Sequence, residues 1–442
     1  MKLFCFLIIL FLFNNCSFDN KTGIWKNENE DSKKNSGLLK EFKTISVFKD
    51  NFNEIITLDE KTKIQISSPI NNLEWKDIFY NFNNNSNNFQ YDNKNQINTI
   101  SKKLSRSITN ENILFSKNCL ITNDEKGNII IFSTQENKII KKFNFYKNKL
   151  KNINKKINLL IEKNVIYASD NIGYLYTINL KTGELIWAKN YKVPFRSNIK
   201  IIDDKLITSS QNNDLYFFNK KNGDLIKFIP TEETVIKNQF MNNISITNEK
   251  NLLFLNTYGS LYSIDMKTMK IIWFINLNQS IDINPSNLFM SNEIVNSANK
   301  ILITTNEKFF IIDNNTGSII GRYSFSTSIR PIINQNYAFI ITKNNLLIAL
   351  DLNKNQIMYS SDIDSQISNF LDIKKKKTVI KSFMLINNEI FIFLKNSYIL
   401  TFKPNGIIKS VKKLPAKINS FPILIDKLIY FLNNKNKLVV VS

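Results

Sequence analysis

Three cysteines, Cys5, Cys16 and Cys119, and no histidine are what the chain offers among the residue types that most often carry chemistry. Without histidine there is no Ser-His-Asp or Cys-His catalysis, no imidazole metal ligand and no axial histidine for a haem. Carboxylate, lysine and tyrosine chemistry survives, as does a cofactor that brings its own reactivity. No cluster of carboxylates stands out, however, and the sequence points to no metal site, cofactor or catalytic residue. The residues that do recur at regular spacing are Asn179, Gly183 and Trp187, then Asn219 and Gly223, Asp265 and Trp273, and Asp313 and Gly317. An Asn or Asp side chain caps a turn, the following Gly takes a positive φ, and a Trp presents a broad flat face for docking. Gly183, Trp187, Gly223, Trp273 and Gly317 therefore read as packing residues, not as ligand contacts.

The elements that carry them form a repeat. Val165–Asp170, Tyr174–Asn179 and Glu184–Trp187 read as strand, strand and strand, separated by tight turns. The frame returns from Leu206, from Leu252 and from Ile301, and more weakly over Cys119 to Phe143, Ala338 to Tyr359, Glu389 to Val411 and Leu428 to Ser442. Aligned on the residue after the second strand, the copies fall at 133, 179, 219, 265, 313, 351, 403 and 442, so the period runs from 38 to 52 residues. Three visible strands per unit at that period predict an all-β fold, an eight-bladed β-propeller. One small sheet covers only one face of each neighbour, so the units must close into a ring. The last unit ends at Ser442 one strand short, which predicts that a strand from the stretch 73–107 completes it.

The formal charge of +22 would suit a nucleic-acid binder. The lysines are scattered beside Asn and Ile instead of forming an Arg-and-aromatic stripe, so no nucleic-acid partner is expected. The densest run, Lys374 to Lys377, reads as a loop. At the N-terminus, Met1-Lys2, the apolar stretch Leu3–Phe13 and Asn14-Asn15-Cys16 match a secretory signal. Cys16 resembles the lipidated cysteine of bacterial lipoproteins; an ordinary signal peptide or an uncleaved anchor are the alternatives. The expected organisation is a signal over 1–16, a flexible polar tether over 17–44, a leader over 45–72 and the ring over 73–442. Cys119, in an apolar run, reads as a small core residue.

Thr177 to Trp187, and Ser263 to Trp273 with Met269 in place of Gly, resemble the docking motif of quinoprotein-type (PQQ-like) repeat propellers. Lys227 and Gly321 replace the Trp in other copies. Among such propellers, a lipoprotein signal, a tether and a single ring resemble the BamB family of outer-membrane β-barrel assembly lipoproteins. That resemblance implies a non-enzymatic scaffold on the periplasmic face of the outer membrane, held there by its lipid. It implies docking on BamA and other components of the BAM complex, assisting folding and insertion of unfolded outer-membrane proteins.

By motif position, the loop after Trp187 supplies the family's apolar-plus-Arg partner element, Phe195 and Arg196, and the loop after Trp273 supplies the acidic one, Asp282. The alternative is that Phe195 starts the next blade's inner strand and Arg196 lines the central channel. Two other functions stay open: a PQQ-dependent dehydrogenase-like periplasmic propeller, and a periplasmic propeller that binds another protein or a glycan.

Overall fold

The structure, a computed structural model, describes residues 52–442 except 147–149, 234–239, 279–288, 306 and 328, together with two short strands near the N-terminus. Those two, Cys16–Asp19 and Ile24–Asn27, pair antiparallel with Cys16 opposite Asn27. They lie within a unit, Met1–Asp50, separate from the remainder. The rest of the apolar signal and of the tether expected over 17–44 lies outside the described residues.

From Leu114 to Ser442 the chain folds into successive antiparallel sheets, the eight blades of a propeller. Blade 2 is typical: Ile157–Glu162, Val165–Asp170, Tyr174–Asn179 and Leu185–Asn190, counted here from the inner strand outward. The inner strands of blades 1 and 2, and those of blades 3 to 6 in turn, are neighbours, which sets them around a common axis. The two middle strands of each blade are covered on both faces by other blades and are accordingly continuous apolar runs, such as Ile129–Ser133 and Leu346–Asp351. The outer strand is half solvated and carries the lysines, as in Lys138–Phe143. The inner strand is often only three residues long, as in Lys200–Ile202, too short to leave a periodic signal in sequence.

Blade 8 comprises Ile423–Ile425, Leu428–Leu432 and Lys437–Val441, and the N-terminal strand Ile97–Lys103 pairs antiparallel with the last of these. The ring is thus closed by hydrogen bonds between a strand ahead of blade 1 and the last strand of blade 8. Tyr430 of blade 8 packs on Phe115 of blade 1, with ring centroids 5.3 Å apart. Among the described residues one helix interrupts the all-β pattern, Ile363–Leu371, between blades 6 and 7. Asp362 caps it by accepting from the Ser365 N–H, and Ile363 and Ile367, one turn apart, bury against the core. Lys374–Lys377 follow it as an exposed connection.

Each blade has a connection end, where its inner strand begins and the chain crosses to the next blade, and a turn end with its first and third turns. The two ends are chemically different.

Candidate functional site

At the connection end, the links into blades 2, 3 and 4 border a groove of about 360 Å³. The loop entering blade 3 is held by backbone bonds: the Phe195 N–H donates to Asp170 O (3.0 Å), Arg196 N–H to Ser209 O (2.8 Å) and Asn242 N–H to Arg196 O (2.8 Å). Phe195 is 2% exposed and sits edge-on to Tyr191, Tyr216 and Phe218. It therefore positions the loop from beneath, and a partner reaching this face meets its neighbours. Arg196, half-buried, lines the groove, and burial draws its guanidinium pKa below the ordinary arginine value. On either side stand Ile108 and Met241, both exposed. Asp282, with Ser280 and Ile281, lies outside the described residues.

Cys119, whose strand forms part of blade 1, is half-buried against the core, and burial pushes its thiol pKa up.

The turn end is a belt of blade-to-blade links. Asn179, Asn219, Asp265, Asp313 and Asp351 each accept a backbone N–H two residues on with the side-chain oxygen, at 2.7 to 2.9 Å except for 3.0 Å at Asp313. Gly223 has φ +75°, and a Cβ built there would lie 2.5 Å from the Trp187 ring. Trp187 Nε1 donates to Lys220 O (3.3 Å) and Trp273 Nε1 to Asn314 O (3.0 Å), so each indole lies across the next blade's turn. Gly317 faces Trp273 as Gly223 faces Trp187, whereas Gly183 faces the Lys141 stem.

The blades without Trp keep the link with other donors. Lys227 Nζ donates to Met269 O (2.8 Å) and Tyr323 OH to Asn355 O (2.7 Å), while the Tyr359 ring covers Gly406. In every blade from 1 to 7 the docking position immediately precedes a register shift between the third and outer strands. The sequence places Lys227 and Gly321 where the Trp stands in other copies, but it does not show that Lys227, Tyr323 and Tyr359 keep the link, the first two through a donor and the third through its ring.

The axis itself is occupied by the segment that follows the expected leader. Residues 72–92 cross the ring and touch the inner strand of all eight blades. Trp75 exchanges backbone bonds with Phe115 of blade 1 (2.7 and 2.8 Å), Lys76 O accepts from Ile161 N–H of blade 2, and Phe82 O accepts from Ile246 N–H of blade 4. Lys200 Nζ of blade 3 donates to Asp77 Oδ2 (2.6 Å) in a buried ion pair. Asn84 Nδ2 bridges blades 4 and 5 through Ile244 O (3.0 Å) and Ile294 O (2.9 Å). Asn85 takes both the N–H and the carbonyl of Ile333 in blade 6. Asn88 and Phe89 add a parallel strand to Leu385 and Ile386 of blade 7, and Asn72 bonds Leu424 O of blade 8. Asn83, Asn84 and Asn85 belong to the stretch 73–107 from which a closing strand is expected, and they serve the axis instead. Their use there is that one amide satisfies both kinds of backbone group at converging strand edges.

Two overlapping matches to the family model described as Outer membrane protein assembly factor BamB cover residues 106–274 and 154–361, more than half of the chain. The chain belongs to the BamB family. No curated protein sequence matches it. Among solved structures, BamB from Moraxella catarrhalis superposes with a TM-score of 0.60 at 11% identity, over 78% of this chain and all of that one. The computationally designed Ika8 protein matches with a TM-score of 0.58 at 10% identity, over 78% and 99%. The quinohemoprotein alcohol dehydrogenase of Comamonas testosteroni matches with a TM-score of 0.60 at 9% identity, over 83% and 80%. At these identities the superpositions speak for the propeller fold that BamB shares with the dehydrogenase. No helix among the described residues is long and apolar enough to cross a membrane.

Proposed function

We propose that this chain is a non-enzymatic scaffold of the machinery that assembles β-barrel proteins in the outer membrane. In this reading a lipid on Cys16 holds it at the periplasmic face, and the ring docks on a BamA-like barrel protein through its connection end. The observation that carries the docking surface is the Arg196 groove: a guanidinium held by a braced loop between exposed Ile108 and Met241. An Arg among apolar anchors is the composition of an interface centre. The lipid raises the local concentration of the ring near its partner, so a modest contact suffices. Outer strands such as Leu185–Asn190 present an edge on which an unfolded client strand can add, whereas that of blade 6 is partly paired by Ile56.

The likeness to a quinohemoprotein dehydrogenase keeps an enzyme reading on the table, and the axial segment speaks against it. A cofactor on the ring axis would have to share it with residues 72–92, which already bond every blade. Absorbance titration with PQQ checks this: no saturable binding is expected, and saturable binding would restore the dehydrogenase reading.

The docking test is capture of a detergent-solubilised BamA-like barrel protein by the full chain. Arg196→Glu and Met241→Glu are each expected to weaken capture about tenfold or more, on the order of 1.4 kcal/mol, with unchanged circular dichroism. Unchanged capture by both variants would remove this surface, and absence of any barrel partner for the wild type would remove the function.

A further inference from the structure

On the connection side of the axial segment lies a cavity of about 150 Å³ that the docking reading does not use. Its lining includes Trp75 and Phe79 from the segment, Arg330 ahead of blade 6, Lys381 and Ser382 from blade 7 and Phe421 ahead of blade 8.

Three observations converge on it. First, Arg330 Nη1 and Ser382 Oγ are both buried without a hydrogen-bond partner. A buried polar group left unpaired costs about 1–3 kcal/mol, more when charged, so two on one wall call for an occupant. Second, the inner strand of blade 7 carries a bulge between Ile380 and Ser382, the one register shift among the described inner-strand pairs. The bulge inserts Lys381 as an extra residue, so that Lys381 and Ser382, adjacent in sequence, line the same cavity. Third, the cations are seated on aromatic rings. Arg330 lies 5.1 Å from the Phe79 centroid, and Lys381 Nζ, on a side chain only 5% exposed, lies 4.9 Å from that of Phe421.

Acidic groups face the site too. Glu111 pairs with Lys381 at 3.3 Å, and Glu293 lines the cavity and acts on Arg330. Within the lining Arg330 and Lys381 stand against Glu293 alone, with Glu111 and Asp77 acting from outside it, a balance that suits a monoanion better than a multiply charged phosphate. The volume is roughly that of the 150 Å³ apolar cavity known to accept benzene.

We propose that this axial cavity binds a small organic monocarboxylate. Its oxygens accept from Arg330 Nη1 and Ser382 Oγ, with Lys381 alongside, and its apolar body lies against Trp75, Phe79 and Phe421.

The test is calorimetric titration and thermal unfolding of the full chain with benzoate, acetate and inorganic phosphate at constant ionic strength. Saturable benzoate binding that raises the unfolding midpoint is expected, with acetate weaker and phosphate weakest. Arg330→Gln should weaken benzoate at least about tenfold, and Ser382→Ala by a smaller factor, the difference expected between charged and neutral hydrogen bonds. Arg322→Gln, on the outer strand of blade 5, should leave it unchanged. Absence of a saturable benzoate response, an equal response in Arg330→Gln, or phosphate binding more tightly than benzoate would each overturn the proposal. Should Arg330→Gln not fold, unchanged affinity in Ser382→Ala overturns it.

Discussion

Trp187 shows how a single side chain links one repeat to the next. Its indole lies against Gly223, where the absence of a Cβ makes room, and its Nε1 reaches a carbonyl of the same turn. Trp187→Ala is expected to cost about 3 kcal/mol through lost contact and a cavity, read from urea unfolding. Gly223→Ala should also destabilise, by about 1–2 kcal/mol from the left-handed φ alone, with the ring collision in addition. The turn caps make a separate, pH-dependent contribution. Backbone N–H groups, that of Thr268 first at Asp265 and that of Thr316 first at Asp313, hold both carboxyls below the ordinary 3.8. Acids with lowered folded pKa values stabilise above the unfolded value, and that stability is lost as pH falls through the folded one. Asparagine already fills this role at Asn179 and Asn219. The pair Asp265→Asn and Asp313→Asn should therefore leave the urea midpoint at pH 6 nearly unchanged and reduce its fall between pH 4 and pH 2, estimated from carboxylate linkage as roughly that window. A midpoint that falls as steeply as in the wild type would contradict the capping account. These residues were legible in sequence because capping and positive φ are local demands. The linking roles of Lys227 and Tyr359 were not, since what they must match is a carbonyl or a glycine on the next blade.

At the scale of elements, the blades divide into strands that sequence pattern reveals and strands that it hides. Middle strands are covered on both sides, so they read as apolar runs. The three-residue inner strands and the axial asparagines carry no period, and the partners of Asn84 and Asn85 lie 160 to 248 residues away. Asn84→Ala strips a buried donor from two carbonyls on adjacent blades, an expected loss of about 2 kcal/mol. Asn87→Ala, a half-buried neighbour whose described side-chain bond is to Tyr80, should cost much less. Equal stability of Asn84→Ala and wild type would mean that the axial segment merely rests on the ring. The closing strand was foreseen from the last repeat's missing member, and the structure assigns it to Ile97–Lys103. The helix Ile363–Leu371 was not foreseen, because its two buried isoleucines sit in a linker with no counterpart in other repeats.

For the whole molecule, the two ends of the ring differ in chemistry. The turn end uses its recurring geometry to link blades, and the axis is filled by the chain's own residues 72–92. The connection end keeps an Arg-centred groove with exposed apolar flanks. The absent histidine and the dispersed charge of +22 fit a ring whose recurring side chains cap turns and dock blades. Phe195 illustrates the limit of motif position: the loop was placed by sequence, but burial separates its two candidate residues, the ring beneath and the guanidinium in the groove. Site-specific photo-cross-linking in the native envelope tests the central claim most directly, with the probe at position 241 on the connection end or at 407 on the turn end. Met241 and Ile407 are both exposed, so accessibility does not favour either. An adduct with an outer-membrane barrel-assembly protein from 241 and none from 407 is the predicted result. Adducts from 407 alone, or no such adduct from either position, would contradict it.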